Sequence, residues 1–437
     1  MSNITIMSQP SIKTKSNLVT AWLVCMVASL FFLYEFIQMN MFNAISEDLM
    51  KAFHIDATGL SRLSAFYFIA NVVFLFPAGV LLDRCSSKKI ILAALAICIL
   101  GTALFATSHN TPLATFYRFL TGIGSAFCFL SVIRLATRWF HASALAFVIG
   151  MVVTMAMLGG VIAQKPLSLL VVAVEWRNAL LVDAAIGVVF FALIFCFVQD
   201  YPPEFQQQLH LELREVSRLG YWKSLGFAFL KLQNWLSGIF SCLMNLPIII
   251  LGGLWGILYL EHVQGISHTQ APHITQMLFF GAIVGAPLAG WISDRIGLRR
   301  LPMIIGGLFS LILVIVLVAL PDITFWSLFI LFFLLGVTTS AQIISYSIVA
   351  ESSLPAIIAM SVSVVNISTQ GGLALFEPLF GYLMDLHHRF VGISGAEYVG
   401  GDFKWAMMMF AVGIALALLA ACLLRETYCL PRSNELR

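Results

Sequence analysis

Two segments of the chain, GVLLDRCSSKK at residues 79–89 and GWISDRIGLRR at residues 290–300, share one pattern. Each begins with glycine, carries Asp-Arg four residues later and ends in two basic residues, and each follows a long apolar stretch. Because three residue types return at constant spacing, chance is a poor explanation, and the sequence indicates an internal repeat. The repeat predicts two related halves, in each of which this segment joins the second helix to the third.

The composition of the chain places both halves in a membrane. Of its 437 residues, 60% are hydrophobic and only 10% are charged, and the mean hydropathy is +0.96. A water-soluble domain cannot bury this much apolar surface, so we predict a membrane protein and not an enzyme. A bilayer needs about 20 apolar residues per helix. About twelve such stretches are present, near 18–43, 59–82, 89–107, 112–136, 143–165, 178–198, 233–260, 271–293, 301–320, 324–350, 356–384 and 403–425.

One long polar interruption divides the chain. It predicts an N-terminal six-helix bundle at 1–198, a cytoplasmic linker at 199–232 and a C-terminal six-helix bundle at 233–437. Lys and Arg collect mainly on the side of the membrane that carries the linker and both repeated segments. By the positive-inside rule, this side and both termini face the cytoplasm. The short loops favour a multi-pass protein of a bacterial inner (cytoplasmic) membrane.

Both repeated segments resemble the cytoplasmic loop pattern of the major facilitator superfamily. Two further segments are similar to that family, RFLTGIGSA at 118–126 in the fourth helix and EWR at 175–177 before the sixth. The resemblance covers nearly the whole chain. It implies an all-α membrane protein whose twelve transmembrane helices form two pseudo-symmetric six-helix bundles, the major facilitator fold, and a transporter that works by alternating access.

Four segments narrow the resemblance to one branch: YEF at 34–36, LSAFYF at 63–68, SAQ at 340–342 and, in the eleventh helix, Gly371-Gly372 followed by Pro378, Gly381 and Asp385. They resemble bacterial relatives of the lysosomal dipeptide transporter, which implies a carrier of short peptides or amino acids. The proline-containing G-P-x-x-G-G pattern of antiporters is missing from the fifth helix, which argues against a drug/proton antiporter.

The repeated segments also predict a cytoplasmic gate. We expect each aspartate, Asp83 or Asp294, to cap the N-terminus of a neighbouring helix, where the macrodipole favours negative charge. Family resemblance implies that the basic residues pair with acidic groups or lipid phosphates and hold this gate closed in one state. Simple positive-inside retention explains the basic residues, but not the repeated Gly and Asp. The predicted gate residues are Gly79, Asp83, Arg84, Lys88, Lys89, Gly290, Asp294, Arg295, Arg299 and Arg300.

Two charged residues within the predicted spans are candidates for binding or coupling. A charge at bilayer depth costs about 2.5–3.5 kcal/mol on insertion scales, which predicts that each residue is functional or tightly paired. Glu35 in the first helix and Arg118 in the fourth lie at a similar depth from the outer side, about 9–12 Å at 1.5 Å per residue. They could bind a charged substrate or transfer a proton. The alternative is a static ion pair whose desolvation cancels its attraction.

Uncharged polar residues extend the predicted site into both halves. The second half lacks the arginine, because aligning Gly122 with Gly336 puts Phe332 where Arg118 would be. Each polar residue taken singly fits helix packing better than substrate contact, whereas together they suit hydrogen bonding to a substrate. Glu377 and Asp385 frame Pro378, which we expect to kink the eleventh helix. The further candidates for substrate binding are Tyr34, Gln38, Tyr67, Gln342, Tyr346, Asn366 and Gln370.

The function predicted is secondary active or facilitative transport of a small polar solute, namely a short peptide, amino acid or organic anion, with protons as a possible coupling ion. An exporter of drugs or siderophores and a non-transporting membrane sensor are the alternatives. We expect a monomer that contacts membrane lipids, no nucleic-acid partner, no cofactor and no metal. The histidines of the outer loops lack metal-ligand spacing, and the eight cysteines have no C-x-x-C spacing and are interpreted as packing residues.

Overall fold

The computed structural model describes residues 15–140, 142–201, 229–320, 322–353, 358–391 and 398–429, which form helices and short connections without any strand. The first half contains α1 (Lys15–Asn40), α2 (Phe42–Phe53), α3 (Ala57–Arg84), α4 (Ser87–Thr107), α5 (Thr111–Trp139), α6 (Ala142–Ile162) and α7 (Lys165–Phe197). Most of the predicted linker lies outside the described residues, and the domain boundaries stay a prediction.

The second half is more irregular. Its elements are α8 (Leu232–Ile250), a π-helix (Leu251–Trp255), α9 (Gly256–Gln264), α10 (Ala271–Ile296), α11 (Arg300–Ala319), α12 (Phe325–Thr339), a 3₁₀ turn (Ser340–Ile343), α13 (Ile344–Ser352), α14 (Ile358–Val391) and α15 (Gly400–Leu423). The π-helix and the 3₁₀ turn interrupt the seventh and tenth predicted spans, and such irregular turns frequently mark functional positions in helices.

The described residues contain ten helical stretches that are long and apolar enough to cross a membrane. One of them, Val148–Phe197, has 50 residues, which is enough for two crossings, and it is broken by a turn at 163–164 and by a left-handed residue, Glu175. The 34-residue helix α14 is a further long helix and packs against α3. The structure is therefore compatible with the predicted twelve spans.

The internal repeat extends into helix packing. A Cβ on Gly122 of α5 would lie 2.2 Å from the carbonyl oxygen of Tyr67 in α3. In the second half, a Cβ on Gly336 of α12 would lie 2.1 Å from the carbonyl oxygen of Leu278 in α10. Tyr67 and Leu278 precede the glycines of the two repeated segments by the same number of residues. Each half thus brings its second and fourth helices into backbone contact through one glycine.

We call the end of the bundle where α3 and α10 finish the motif end, and the opposite end the far end. At the motif end, Asp200 accepts a hydrogen bond from the backbone N–H of Lys88 (3.0 Å) at the start of α4. Glu426 accepts from the backbone N–H groups of Arg299 (2.8 Å) and Arg300 (2.9 Å) at the start of α11. Acidic residues that follow the last helix of each half therefore cap these helices.

The cap predicted for Asp294 is wrong. Its carboxylate is exposed and pairs with the guanidinium of Arg299 at 2.6 Å, while Glu426 occupies the helix terminus. A carboxylate placed after α15 approaches the start of α11 more directly than one at the end of α10. The side chains of Asp83 and Arg84 lie outside the described part of the structure.

The two halves are joined by a set of hydrogen bonds toward the far end. The Gln164 side chain donates to the carbonyl oxygen of Gly252 in the π-helix (2.6 Å) and accepts from Asn43 (2.7 Å) and Thr275 (2.8 Å). The side-chain oxygen of Asn43, Oδ1, accepts a hydrogen bond from the backbone N–H of Ile257 (3.0 Å). We call these residues the far-end network. It connects α2 and the α6–α7 junction to α9, α10 and the π-helix.

Candidate functional site

Arg118 of α5 is fully buried and only partly hydrogen-bonded. One nitrogen, Nη1, donates to the main-chain carbonyl of Gln38 at 2.8 Å. The guanidinium lies over two aromatic rings, with its central carbon 4.4 Å from the Phe42 centroid and 4.5 Å from the Tyr67 centroid. These rings attract the cation electrostatically. Its Nε and Nη2 have no hydrogen-bond partner among the described residues, so two donors of a buried cation are available to an anionic group.

Glu35 of α1 is buried in the same region but does not pair directly with Arg118. Its carboxylate accepts from the Tyr67 hydroxyl at 2.5 Å and from the Cys98 thiol at 2.9 Å. Tyr67 therefore contacts both charged groups, one through its hydroxyl and the other through its ring. The direct ion pair considered from the sequence is not formed. Cys98, interpreted from the sequence as a packing residue, is a donor to the site.

Gln38 links this region to a second buried carboxylate, Asp183 of α7. The Gln38 side-chain amide donates to Asp183, and its carbonyl oxygen accepts from the Thr102 hydroxyl at 2.7 Å. Tyr34, another predicted site residue, packs edge-on against Phe190 of α7, with 6.4 Å between ring centroids. Asp183 was missed from the sequence, although the criterion that selected Glu35, a carboxylate within an apolar span, applies to it equally.

The second half contributes a third buried carboxylate, Glu377 of α14. It is 1% exposed, and its Oε2 has no hydrogen-bond partner among the described residues. Ser64 of α3 lies against the carboxyl group, and Arg118 is close enough to interact with it electrostatically. The second half, which lacks an equivalent of Arg118, therefore still adds a charged residue to this region. Glu377 and Arg118 thus belong to different halves and lie near enough to interact electrostatically.

The polar residues predicted in the second half form a separate group. The Gln342 amide donates to Asn245 at 2.9 Å, and the Tyr346 hydroxyl donates to Asn366 at 2.9 Å. Gln370 lies one turn beyond Asn366 and is half-buried. Among the described side chains, no hydrogen bond connects this group to Arg118 or Glu35. These residues pair with each other as packing partners do, and their role in substrate contact stays a prediction.

Several basic residues of the predicted gate bind groups within their own half. Lys88 donates to the Phe195 carbonyl at 2.7 Å, and Arg299 pairs with Glu351 at 2.5 Å. Arg300 donates to the Cys422 carbonyl at 2.5 Å, and Arg295 lies over the Trp291 ring. A Cβ on Gly290 would meet nothing within 4 Å. The gate role of the repeated segments stays a prediction.

Acidic residues and one histidine meet at the far end. His268 contacts Glu261 at 2.6 Å, and Glu47 of α2 lies close to both, with the ligand atoms of all three within 4.8 Å of one another. Glu47 also pairs with Lys51 at 2.5 Å. Hydrogen bonding to Glu261 raises the pKa of His268, burial opposes this, and the charges of Glu47 and Asp48 add to the increase. We interpret the group as an ion-pair network across the halves, because these ligand atoms already have partners.

The comparison with protein families decides the assignment. The profile described as the Major Facilitator Superfamily matches residues 27–260 and 237–435, which together span most of the sequence. The chain belongs to the Major Facilitator Superfamily. The family resemblance predicted from the repeated segments is confirmed. The two matched ranges also agree with the repeat seen in helix packing.

Relatives within this superfamily are transporters of several kinds. The hexuronate transporter of Bacillus subtilis is 24% identical over 242 residues, which cover 55% of this chain and 57% of that protein. The chain thus spans little more than half the length of that relative. The lysosomal dipeptide transporter MFSD1 of Danio rerio is 22% identical over 403 residues, covering 87% of this chain and 81% of that protein. The expected resemblance to this branch is confirmed.

The fold is similar to that of solved transporter structures. A bacterial homolog of the human lysosomal transporter Spinster, in an inward-facing and unoccupied conformation, superposes with a TM-score of 0.72. The match covers 93% of this chain and 98% of that chain at 16% sequence identity. At this identity the likeness concerns the fold alone. The chain is therefore an all-α membrane protein with the major facilitator fold, and its own residues are the basis for a proposal about activity and substrate.

Proposed function

We propose that this chain carries small solutes with a carboxylate or similar anionic group across the membrane by alternating access. The observation that carries the proposal is the state of Arg118, a fully buried cation with two unpartnered donors. A buried charge without its hydrogen bonds is costly. A planar guanidinium presents donors in the geometry that a carboxylate accepts. A substrate carboxylate at Nε and Nη2 would complete the hydrogen bonding of Arg118.

Glu35 is the proposed proton-carrying group. It lies at bilayer depth, where ionisable residues commonly belong to substrate or proton pathways. Its two donors, Tyr67 and Cys98, stabilise the carboxylate form, and Tyr67 also contacts the guanidinium of Arg118. Movement of Arg118 toward a substrate would therefore disturb the hydrogen bonding of Glu35. This contact is a physical route by which substrate binding and protonation can influence each other.

The far-end network supports a rocking mechanism. Its hydrogen bonds join the halves at the far end, so opening that end requires them to be broken together. Rigid-body rocking of two repeats around a fixed site is the usual form of alternating access in this architecture. We place the motif end at the cytoplasm, from the distribution of Lys and Arg, so that the far end is the outer gate.

Uptake into proteoliposomes tests this function. Purified protein is reconstituted, a pH gradient is imposed, and amino acids, dipeptides and hexuronates are screened against Arg118→Lys. We expect the wild type to accumulate at least one of these solutes and the variant to lose most of that transport, because lysine cannot reproduce the two-donor geometry. Arg389→Lys, at an exposed position of α14, is the matched control. Normal transport by the Arg118 variant would overturn the proposed site.

A further inference from the structure

One face of α3 lies between the two buried charges that come from different halves. Ser64 and Tyr67 are three residues apart, so they lie on the same side of the helix. Tyr67 lies against Arg118 of the first half, and Ser64 lies against Glu377 of the second. Arg118 and Glu377 therefore both lie by this face of α3, near enough to interact electrostatically but without forming an ion pair.

The unpartnered atoms at this place are complementary. Arg118 offers two donors, Nε and Nη2, and Glu377 offers one acceptor, Oε2. Both residues are almost completely buried. Buried charged atoms that lack partners are expensive, and here one cation and one anion lack them in the same region. A ligand that carries an anion and a cation within one small molecule would satisfy all three atoms.

We propose that Glu377 binds the ammonium group of the substrate, so that the solute bridges the two halves as a zwitterion, with its carboxylate on Arg118. This inference rests on the proposed function and adds its charge selectivity. Glu35 is less suited to the ammonium group, because its carboxylate already accepts from Tyr67 and Cys98. In this proposal, Glu377 binds the ammonium group of the substrate and Glu35 carries the proton.

The proposal excludes purely anionic solutes as good substrates. A monoanion on Arg118 would leave the Glu377 carboxylate buried beside it without a cation, and like charges in a desolvated site repel. A zwitterion adds no net charge and gives a partner to each residue. Amino acids and short peptides have this charge distribution, whereas sugar acids lack the amine.

Three probes that differ in one group each test the proposal: alanyl-alanine, its N-acetyl derivative and its C-terminal amide. We measure how strongly each probe inhibits uptake of a solute that the proteoliposome screen shows to be transported. The wild type, Glu377→Gln and Arg118→Lys are compared. For the wild type, we expect alanyl-alanine to compete at least about tenfold better than either derivative, since each lacks one charge-assisted contact. For Glu377→Gln, we expect the preference over the N-acetyl derivative to fall about tenfold, while the preference over the amide persists.

Asp385→Asn is the matched control, because this carboxylate lies on the same helix and is already bonded to Thr58 and Tyr398. It should leave both preferences unchanged. If Glu377→Gln retains the wild-type preference for the free amine while Arg118→Lys loses transport, the amine assignment is overturned and the proposed function stands. If Arg118→Lys transports normally, the proposed function itself falls. Equal competition by alanyl-alanine and its N-acetyl derivative in the wild type would also overturn the role of Glu377.

Discussion

The ring of Tyr67 lies beneath the guanidinium of Arg118, with 4.5 Å between the ring centroid and the central carbon of the cation. The hydroxyl of the same side chain donates to Glu35 at 2.5 Å. One tyrosine thus touches a cation through its π-face and an anion through its hydroxyl. Arg118 and Glu35 therefore both contact Tyr67 and do not form a direct ion pair.

Replacing Tyr67 with phenylalanine separates these two contacts. The ring under Arg118 is kept, and Glu35 loses one of its two donors, which costs about 1–3 kcal/mol for a buried acceptor. We expect proton-driven accumulation to fall by about tenfold or more, while exchange of labelled for unlabelled substrate without a gradient falls much less. Tyr259→Phe, which loses a buried hydroxyl bonded to the Leu317 carbonyl away from the predicted site, is the control. An equal decrease in accumulation and exchange would argue against a coupling role for the hydroxyl.

A second prediction concerns the glycine contact between α3 and α5. In Gly122→Ala, the new methyl group would lie 2.2 Å from the Tyr67 carbonyl oxygen, so the helices must separate. We expect a loss of about 1–3 kcal/mol of stability, seen as a lower Tm in detergent, with displacement of Tyr67 and reduced transport. Gly150→Ala in α6 is the control, since its methyl group has open space. A Tm equal to that of the wild type for Gly122→Ala would contradict the close contact.

A third prediction compares the contributions of Glu426 and Asp294 to the stability of the start of α11. Glu426→Ala removes the acceptor for two backbone N–H groups at the start of α11, and a lost N-cap costs about 1 kcal/mol. Asp294→Asn removes only a partly exposed ion pair with Arg299, which contributes little. We therefore expect the Tm to fall more in Glu426→Ala than in Asp294→Asn. The reverse order would indicate that Asp294 supports the helix end after all.

The repeat was predictable because it is written in the sequence as two similar segments. The alignment that put Phe332 opposite Arg118 agrees with the structure, since Gly122 and Gly336 make equivalent backbone contacts and Phe332 is fully buried. Glu35 and Arg118 were also identified correctly as buried charges. A charged residue inside an apolar span is a local signal that needs no knowledge of its neighbours.

Interactions between residues that are distant in the sequence were harder to predict than the buried residues themselves. Glu377 was recognised beside a proline, but its approach to Arg118 depends on how the halves pack, which no local pattern records. Glu426 was overlooked as a cap because it lies in a different segment from the helix that it caps. The far-end hydrogen bond from Gln164 to Gly252 depends on a carbonyl of the π-helix, and sequence periodicity does not indicate that turn.

The last prediction concerns the pH dependence of the far end. His268 of the second half lies among Glu261, Glu47 and Asp48, the last two from α2 of the first half, and its pKa is raised above 6.5 chiefly by its hydrogen bond to Glu261. A raised pKa means that the protonated form stabilises the closed far end at low pH. This stabilisation is lost as the pH rises through the pKa of His268 in the closed state. Alkaline pH should therefore favour opening of the far end.

Spin labels on the two halves measure this opening. The exposed positions His109 and Trp326 lie at the far end, in the first and second half respectively. Both positions are replaced by cysteine, and the exposed Cys85, Cys196 and Cys422 are replaced by serine. The distribution of distances between the two labels is then recorded by electron paramagnetic resonance from pH 5 to 9.

We expect the long-distance population to grow with pH. His268→Gln should remove most of this pH dependence, because glutamine carries no titrating charge. His273→Gln, in the first turn of α10, is the control for replacing a histidine by glutamine. A distribution that changes equally with pH in the wild type and in His268→Gln would show that another group sets the response.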